Sequence, residues 1–322
     1  MSLISVLLQF FAAAVVLYVV YAYLLRFERQ IIADLGLRGN ERWGILWPLV
    51  DVARALGKGG STLSPLPSFL CLGAPLLALG ARLAALAIIP LGILVIGGQE
   101  VALGIGDLPL SLCLPFVLDW IALLGPLWSA YCSPSSYLRR EGADMVSQAL
   151  LFSVSSLLSL GGVVILSGSL NFQDIVISQS QGLPYALYQP LGLLVFILSA
   201  LFGGRRLPYR LPQDRNPVLG AFHIQHAGSV EAIYHLTQYL YLLLIGALIS
   251  GVYLSGLLHP WHVAPHWFVP KAVVVTAGLL WMRHRLLPHL RERWGEGIWR
   301  LCILVALLNI LLTGFLVVWR GS

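Results

Sequence analysis

The sequence predicts an all-α, polytopic membrane protein, with about eight transmembrane helices and an amphipathic helix on the cytoplasmic surface. Three observations carry that prediction. Of 322 residues, 58% are hydrophobic and only 11% are charged, against about 25% charged in a domain that faces water. The apolar runs are long and unbroken, whereas the strands of a membrane barrel alternate apolar and polar residues. Lysine and arginine gather in every second loop, as they do in loops retained in the cytoplasm.

A bilayer core takes about 20 apolar residues of helix. By that ruler the spans centre near Val15, Ala84, Asp119, Leu157, Leu194, Leu244, Thr276 and Leu308. The first apolar run, Leu3 to Leu25, is too long for a cleavable signal peptide and has no basic segment before it. The second span, around Pro67 to Val95, is long and holds Pro75 and Pro90, which predicts a tilt or a kink.

The loops set the orientation. Arg26, Arg29, Arg38, Arg42, Arg54 and Lys58 follow span one, and Arg139 and Arg140 follow span three. Arg205, Arg206, Arg210 and Arg215 follow span five; Arg283, Arg285, Arg291 and Arg293 follow span seven. The loops Gln99 to Asp107, Gly168 to Gln181 and His259 to His266 contain no Lys or Arg, and Arg320 is the one stray charge. The alternation predicts a single membrane domain over residues 1–322 with both termini on the outer side. Its cytoplasmic loops then fall at about 26–62, 132–142, 203–232 and 283–299. Trp261, Trp267, Trp294 and Trp299 flank predicted span ends, where indole rings favour the interface. The formal net charge of +6 is thus a topology signal. The lipid bilayer is an expected partner and nucleic acid is not. Cys71, Cys113, Cys132 and Cys302 form no CxxC pair, so no metal or cluster site is expected. The absence of an internal repeat disfavours a stand-alone transporter.

Within the first loop, Ile45, Leu49, Val52 and Leu56 recur at helical spacing, with Asp51, Arg54 and Lys58 off that stripe. This predicts a helix lying on the membrane surface, either as an interfacial linker or as the lining of a ligand or partner site. Arg82 and Asp119 fall near the middle of spans two and three. An unpaired charge there costs at least about 2.5–3.5 kcal/mol on insertion scales, so the two are expected to pair. The pair serves helix packing or is the remnant of a proton relay. His259, His262 and His266 have spacings that suit zinc on a helix, but Pro260 and Pro265 oppose a helix, so no metal is expected.

Three segments resemble the H-type, quinone-site membrane subunit of the respiratory complex I family. The first is Glu28-Arg29, then Arg38-Gly39-Asn40-Glu41-Arg42-Trp43-Gly44, then Leu46, Pro48, Asp51 and Arg54. The second runs from Gly203 through Arg206-Leu207-Pro208-Tyr209-Arg210-Leu211-Pro212 to Gly220-Ala221-Phe222-His223 and Ala227-Gly228. The third is Trp267 to Lys271, Trp281-Met282-Arg283 and the closing Asn309 to Gly314. The order of the segments, the span count and the outer termini all match that family.

The resemblance implies a membrane subunit of a proton-translocating NAD(P)H-quinone oxidoreductase, in a bacterial-type inner membrane. Catalysis then belongs to the assembly. The chain anchors the peripheral redox arm and forms much of the quinone tunnel. Its implied partners are iron–sulfur and quinone-site arm subunits, small membrane subunits and antiporter-like membrane subunits. The quinone is shared with those partners, and no cofactor is bound by this chain alone. The matching tunnel or docking positions are Glu28, Arg29, Arg42, Asp51, Arg206, Pro208, Arg210, Phe222 and His223. Several carboxylates of the family pattern are replaced: Gly203, Arg210, Gln213, Arg215, Pro217, Gln225, Gln238 and Ala149 stand in their places. Glutamine and alanine do not exchange protons near neutral pH. An altered or lost carboxylate proton path is therefore expected, with His226 and His235 as candidates to relay protons instead. A structural adaptor of a related assembly, hydrogenase- or ion/bicarbonate-linked, is the alternative.

Overall fold

A computed structural model of the chain describes residues 3–34, 50, 53–54, 57, 68–89, 92–96, 99–103, 108–132, 136–179, 183–203, 229–255, 268–286, 289–290 and 297–321. The chain runs through α1 (Leu3–Asp34), α2 (Ser68–Ile88), β1 (Gly92–Ile96), β2 (Gln99–Leu103), α3 (Leu114–Cys132) and α4 (Ser136–Ser167). It continues with α5 (Phe172–Ser178), α6 (Tyr185–Tyr188), α7 (Pro190–Gly203), α8 (Ser229–Leu248) with a π-helical turn over Ile249–Tyr253, α9 (Phe268–Arg285) and α10 (Ile298–Gly321). Each expected span centre falls on one of the longer helices. Among the described residues, four helical stretches are long and apolar enough to cross a membrane: Leu114–Cys132, Gly142–Ser167, Ala232–Tyr253 and Ile298–Trp319. Gly73–Ile88 and Pro190–Gly203 are shorter apolar stretches.

One element departs from the all-α expectation. Helix α2 ends at Ile88, short of the expected Val95, and β1 pairs antiparallel with β2 from Gly92↔Leu103 to Ile96↔Gln99. Pro90 cannot continue a helical ladder, and Gly97-Gly98 between two runs holding Ile93, Val95, Ile96 and Val101 is a two-residue hairpin signature. The surface helix expected over Ile45 to Lys58 lies largely outside the described residues.

Local chemistry sets the short connections. Gly168 takes a left-handed φ of 70° just after α4, and its N–H returns to Val164 O at 2.8 Å, a glycine stop. Asn171 caps α5 by accepting from Gln173 N, and Pro190 opens α7 where its missing N–H costs nothing.

Helix α8 is the centre of the bundle. It packs on α1, α2 and α9, and 83% of its spanning stretch is buried, against 22% for α10. Helices α2 and α3 form one close pair, while α4, α7 and α10 form a second group joined to α3 through α4. Phe116, Phe196, Tyr253, Phe172 and Phe268 run through the shared core. Leu311, Phe315, Val318 and Trp319 on α10 face outward.

Candidate functional site

Helices α2 and α3 bring Arg82 and Asp119 together. Both are buried, and Arg82 Nε lies 3.1 Å from Asp119 Oδ1. A second guanidinium nitrogen, Nη1, donates to Thr237 O at 2.7 Å, and the guanidinium carbon stands 5.0 Å from the centre of the Tyr241 ring. The arginine therefore ties α2 and α3 to α8 through an ion pair, a charge-assisted hydrogen bond and a ring face. Because α2 stops at Ile88, the pair sits in the last two turns of α2 and the first two of α3. That is nearer the helix ends than the middle position expected for it.

A small cavity of about 10 Å³ adjoins the pair, lined by Asp119, Ser153, Ser156 and Tyr241 among apolar neighbours such as Phe116 and Leu244. It has room for one water. Ser153 also accepts from Trp120 Nε1 at 2.7 Å, fixing α3 to α4. Three of the replaced carboxylate positions are described: Gly203 is buried at the end of α7, Ala149 is buried on α4, and Gln238 on α8 presents a buried Oε1 without a hydrogen-bond partner among the described residues.

At the C-terminal ends of α1 and α9, Glu28 meets His284. His284 Nε2 lies 3.1 Å from Glu28 Oε1, and the two side chains are only 9% and 4% exposed. The other ring nitrogen, Nδ1, stands 2.9 Å from Leu280 O. Arg29, next to Glu28, is partly exposed. His235 lies half-buried on α8, where it engages a partner. Arg42, Asp51, Arg206, Pro208, Arg210, Phe222, His223 and His226 lie outside the described residues.

The opposite end carries a polar cluster. Ser111 Oγ donates to Asn171 Oδ1 and accepts from Phe172 N, at 3.3 and 2.8 Å. Gln179 Nε2 donates to Gly251 O and Val252 O, both at 3.1 Å, and its Oε1 accepts from Ser255 N at 3.0 Å. These bonds satisfy carbonyls left open at the C-terminal end of the helix and hold three Lys/Arg-free connections together. Among the described residues no group of three or more His, Cys, Asp or Glu is placed to hold a metal ion.

Sequence reasoning missed His284, Thr237, Tyr241 and the Gln189–Asn309–Thr313 contact. In that contact Gln189 Nε2 donates to Thr313 Oγ1 at 2.9 Å and its Oε1 accepts from Asn309 Nδ2 at 3.2 Å. Asn309 and Thr313 stand in the closing motif, and their four-residue spacing on one helix was the available signal. His284 follows Trp281-Met282-Arg283 directly, but only its tertiary partner marks it.

Known proteins match the chain along nearly its whole length. The family model described as NADH dehydrogenase matches residues 8–314. An H-type subunit of NADH-quinone oxidoreductase from Geobacter metallireducens is 30% identical over 93% of this chain and 92% of the relative. The corresponding protein of Brevibacillus brevis is 30% identical over 98% and 95%, and that of Syntrophobacter fumaroxidans is 29% identical over 95% and 94%. With a match running through all the long helices and relatives of nearly equal length, the chain belongs to the NADH dehydrogenase family.

Proposed function

We propose that this chain is the quinone-site membrane subunit of a complex I-type assembly in a bacterial inner membrane. It crosses the bilayer eight times with both termini outside, anchors the peripheral redox arm, and lines the quinone tunnel with the loops around Glu28–Asp51 and Arg206–His223. The observation that carries this reading is the near full-length match to relatives named as H-type subunits of NADH-quinone oxidoreductase. The Glu28–His284 contact supports the topology, because it joins the roots of two arginine-rich loops. The Ser111, Asn171 and Gln179 cluster supports it from the other end, by joining loops without Lys or Arg. Quinone is held by hydrogen bonds and apolar contact, shared with the arm.

The proton path is altered. Ala149 is buried where the family pattern has a carboxylate, and Gln238 offers an amide in place of an acid. That same observation favours the second reading, a structural adaptor of a related assembly with another activity.

Affinity purification of the full chain from its native membrane tests the proposal. Iron–sulfur and antiporter-like subunits are expected to co-purify, and a photoreactive quinone is expected to label the first loop or the 203–232 loop. Substitution of Arg206 and Arg210 is expected to lower quinone turnover or arm retention. Recovery of the chain without an arm overturns the reading; an arm without quinone labelling selects the adaptor.

A further inference from the structure

We propose that the cavity beside the Arg82–Asp119 pair is a binding site for one water molecule, which carries the polar network of that pair from α3 across to α4. Asp119, Ser153 and Ser156 line the cavity, and each is more than nine-tenths buried. Each also has hydrogen-bonding capacity to spare. Arg82 Nε donates to Asp119 Oδ1 at 3.1 Å. Among the described residues nothing else donates to that carboxyl group, whose oxygens accept whether or not it carries a proton. Ser155 and Ser156 turn their hydroxyl hydrogens back onto their own helix, to Leu151 O and Phe152 O, each at 3.0 Å. Ser153 accepts from Trp120 Nε1 at 2.7 Å, and its own hydrogen meets no acceptor among the described residues. Ser156 Oγ, its hydrogen already used, still has room to accept. The cavity is therefore offered a donor from Ser153 and acceptors from Asp119 and Ser156. Water supplies the complement, two donors and an acceptor.

Size and chemistry exclude other occupants. A volume of about 10 Å³ suits one water, far below the roughly 300 Å³ or more of a site for a larger organic molecule. A hard cation such as calcium takes about six or more oxygens, and here the guanidinium of Arg82 already lies against Asp119. The place of the water in the bundle gives it a role. Helices α2 and α3 form one close pair, and α4 links them to α7 and α10. With the water bound, one hydrogen-bonded chain runs from Thr237 O on α8 through Arg82 on α2 and Asp119 on α3 to Ser153 and Ser156 on α4. The water thus joins the two helix groups at their seam, beside the direct Trp120–Ser153 bond. This site does not depend on quinone binding and is open to test on the chain alone.

The test uses the full-length chain in lipid bilayers, labelled with ¹³C at aspartate and ¹⁵N at tryptophan. Trp120 is the one tryptophan that directly follows an aspartate, so the Asp119 signals are picked out by their bond to its nitrogen. Water-edited solid-state NMR is expected to show transfer from water to the Asp119 carboxyl carbon in the wild-type chain. In S156V the transfer is expected to fall at least about threefold, because the methyl groups take the space of one water. The Arg82 hydrogens stay in place in S156V, so a relay through the guanidinium does not account for such a fall. If S156V does not accumulate, electron cryomicroscopy of the wild-type chain, in whatever assembly it is recovered, reads the cavity directly. A density peak within hydrogen-bond reach of Asp119, Ser153 and Ser156 supports the site. No transfer to Asp119 in the wild-type chain, transfer unchanged in S156V, or no peak in a map that resolves other buried waters overturns the proposal.

Discussion

An arginine shared among an aspartate, a backbone carbonyl and a tyrosine ring is costly to bury and more costly to half-remove. Replacing Arg82 with alanine leaves Asp119 buried without its ion partner, and a loss of about 3–5 kcal/mol is expected. The double replacement of Arg82 and Asp119 by leucine is expected to be less damaging than R82A, because no uncompensated charge remains. Denaturation of the purified chain in detergent, compared across the single and double variants, reads the difference. Composition and depth made this pair legible, since two charges in neighbouring apolar runs have few other partners. The third tie, to Thr237 O, was not legible, because a backbone acceptor leaves no mark on its residue type. Cys113, just before α3, is the complementary case: burial pushes its thiol up from the ordinary value. At pH 8 less of it is thiolate than of a free cysteine, so alkylation is expected to be slower than that of free cysteine under the same conditions, followed by mass spectrometry.

Between elements, small residues decide how closely helices approach. A Cβ on Gly125 would lie 2.6 Å from Ala74 O and 2.7 Å from Ala78 Cβ, so α3 cannot carry it against α2 without moving. On the same helix pair, a Cβ on Gly80 meets nothing within 4 Å. G125A is therefore expected to destabilise by about 1–3 kcal/mol, and G80A to be neutral or to stabilise by up to about 1 kcal/mol. Equal melting temperatures for the two variants would show that the α2–α3 seam has slack. The long helices were legible here because an unbroken apolar run has few other solutions in lipid. The hairpin was not, because the hydrophobicity of Leu91 to Ile96 continues that of α2, and only Pro90 and Gly97-Gly98 announce the change. The arginine-rich second segment, from Arg205 to Gly228, was legible as motif alone.

For the whole molecule, α9 serves as a measuring rod. Phe268 at its start packs against Phe172, in the cluster of Lys/Arg-free connections, and His284 near its other end meets Glu28. Sixteen residues of helix separate them, about 24 Å at 1.5 Å per residue, close to the hydrocarbon thickness of about 30 Å. The two polar clusters therefore mark opposite faces of the bundle, and the topology proposed above makes the Glu28 face the cytoplasmic one. Leu183 and Ile177 are exposed at the first face, Asp34 and Arg285 at the second. Single cysteines at Leu183 and Asp34, in a chain otherwise without cysteine, separate the alternatives. A membrane-impermeant maleimide added to spheroplasts is expected to label L183C at once and D34C only after the membrane is opened. Labelling of both before opening would mean that α9 does not cross the bilayer, and the reverse order would turn the molecule over and detach the arginine-rich loops from any cytoplasmic arm.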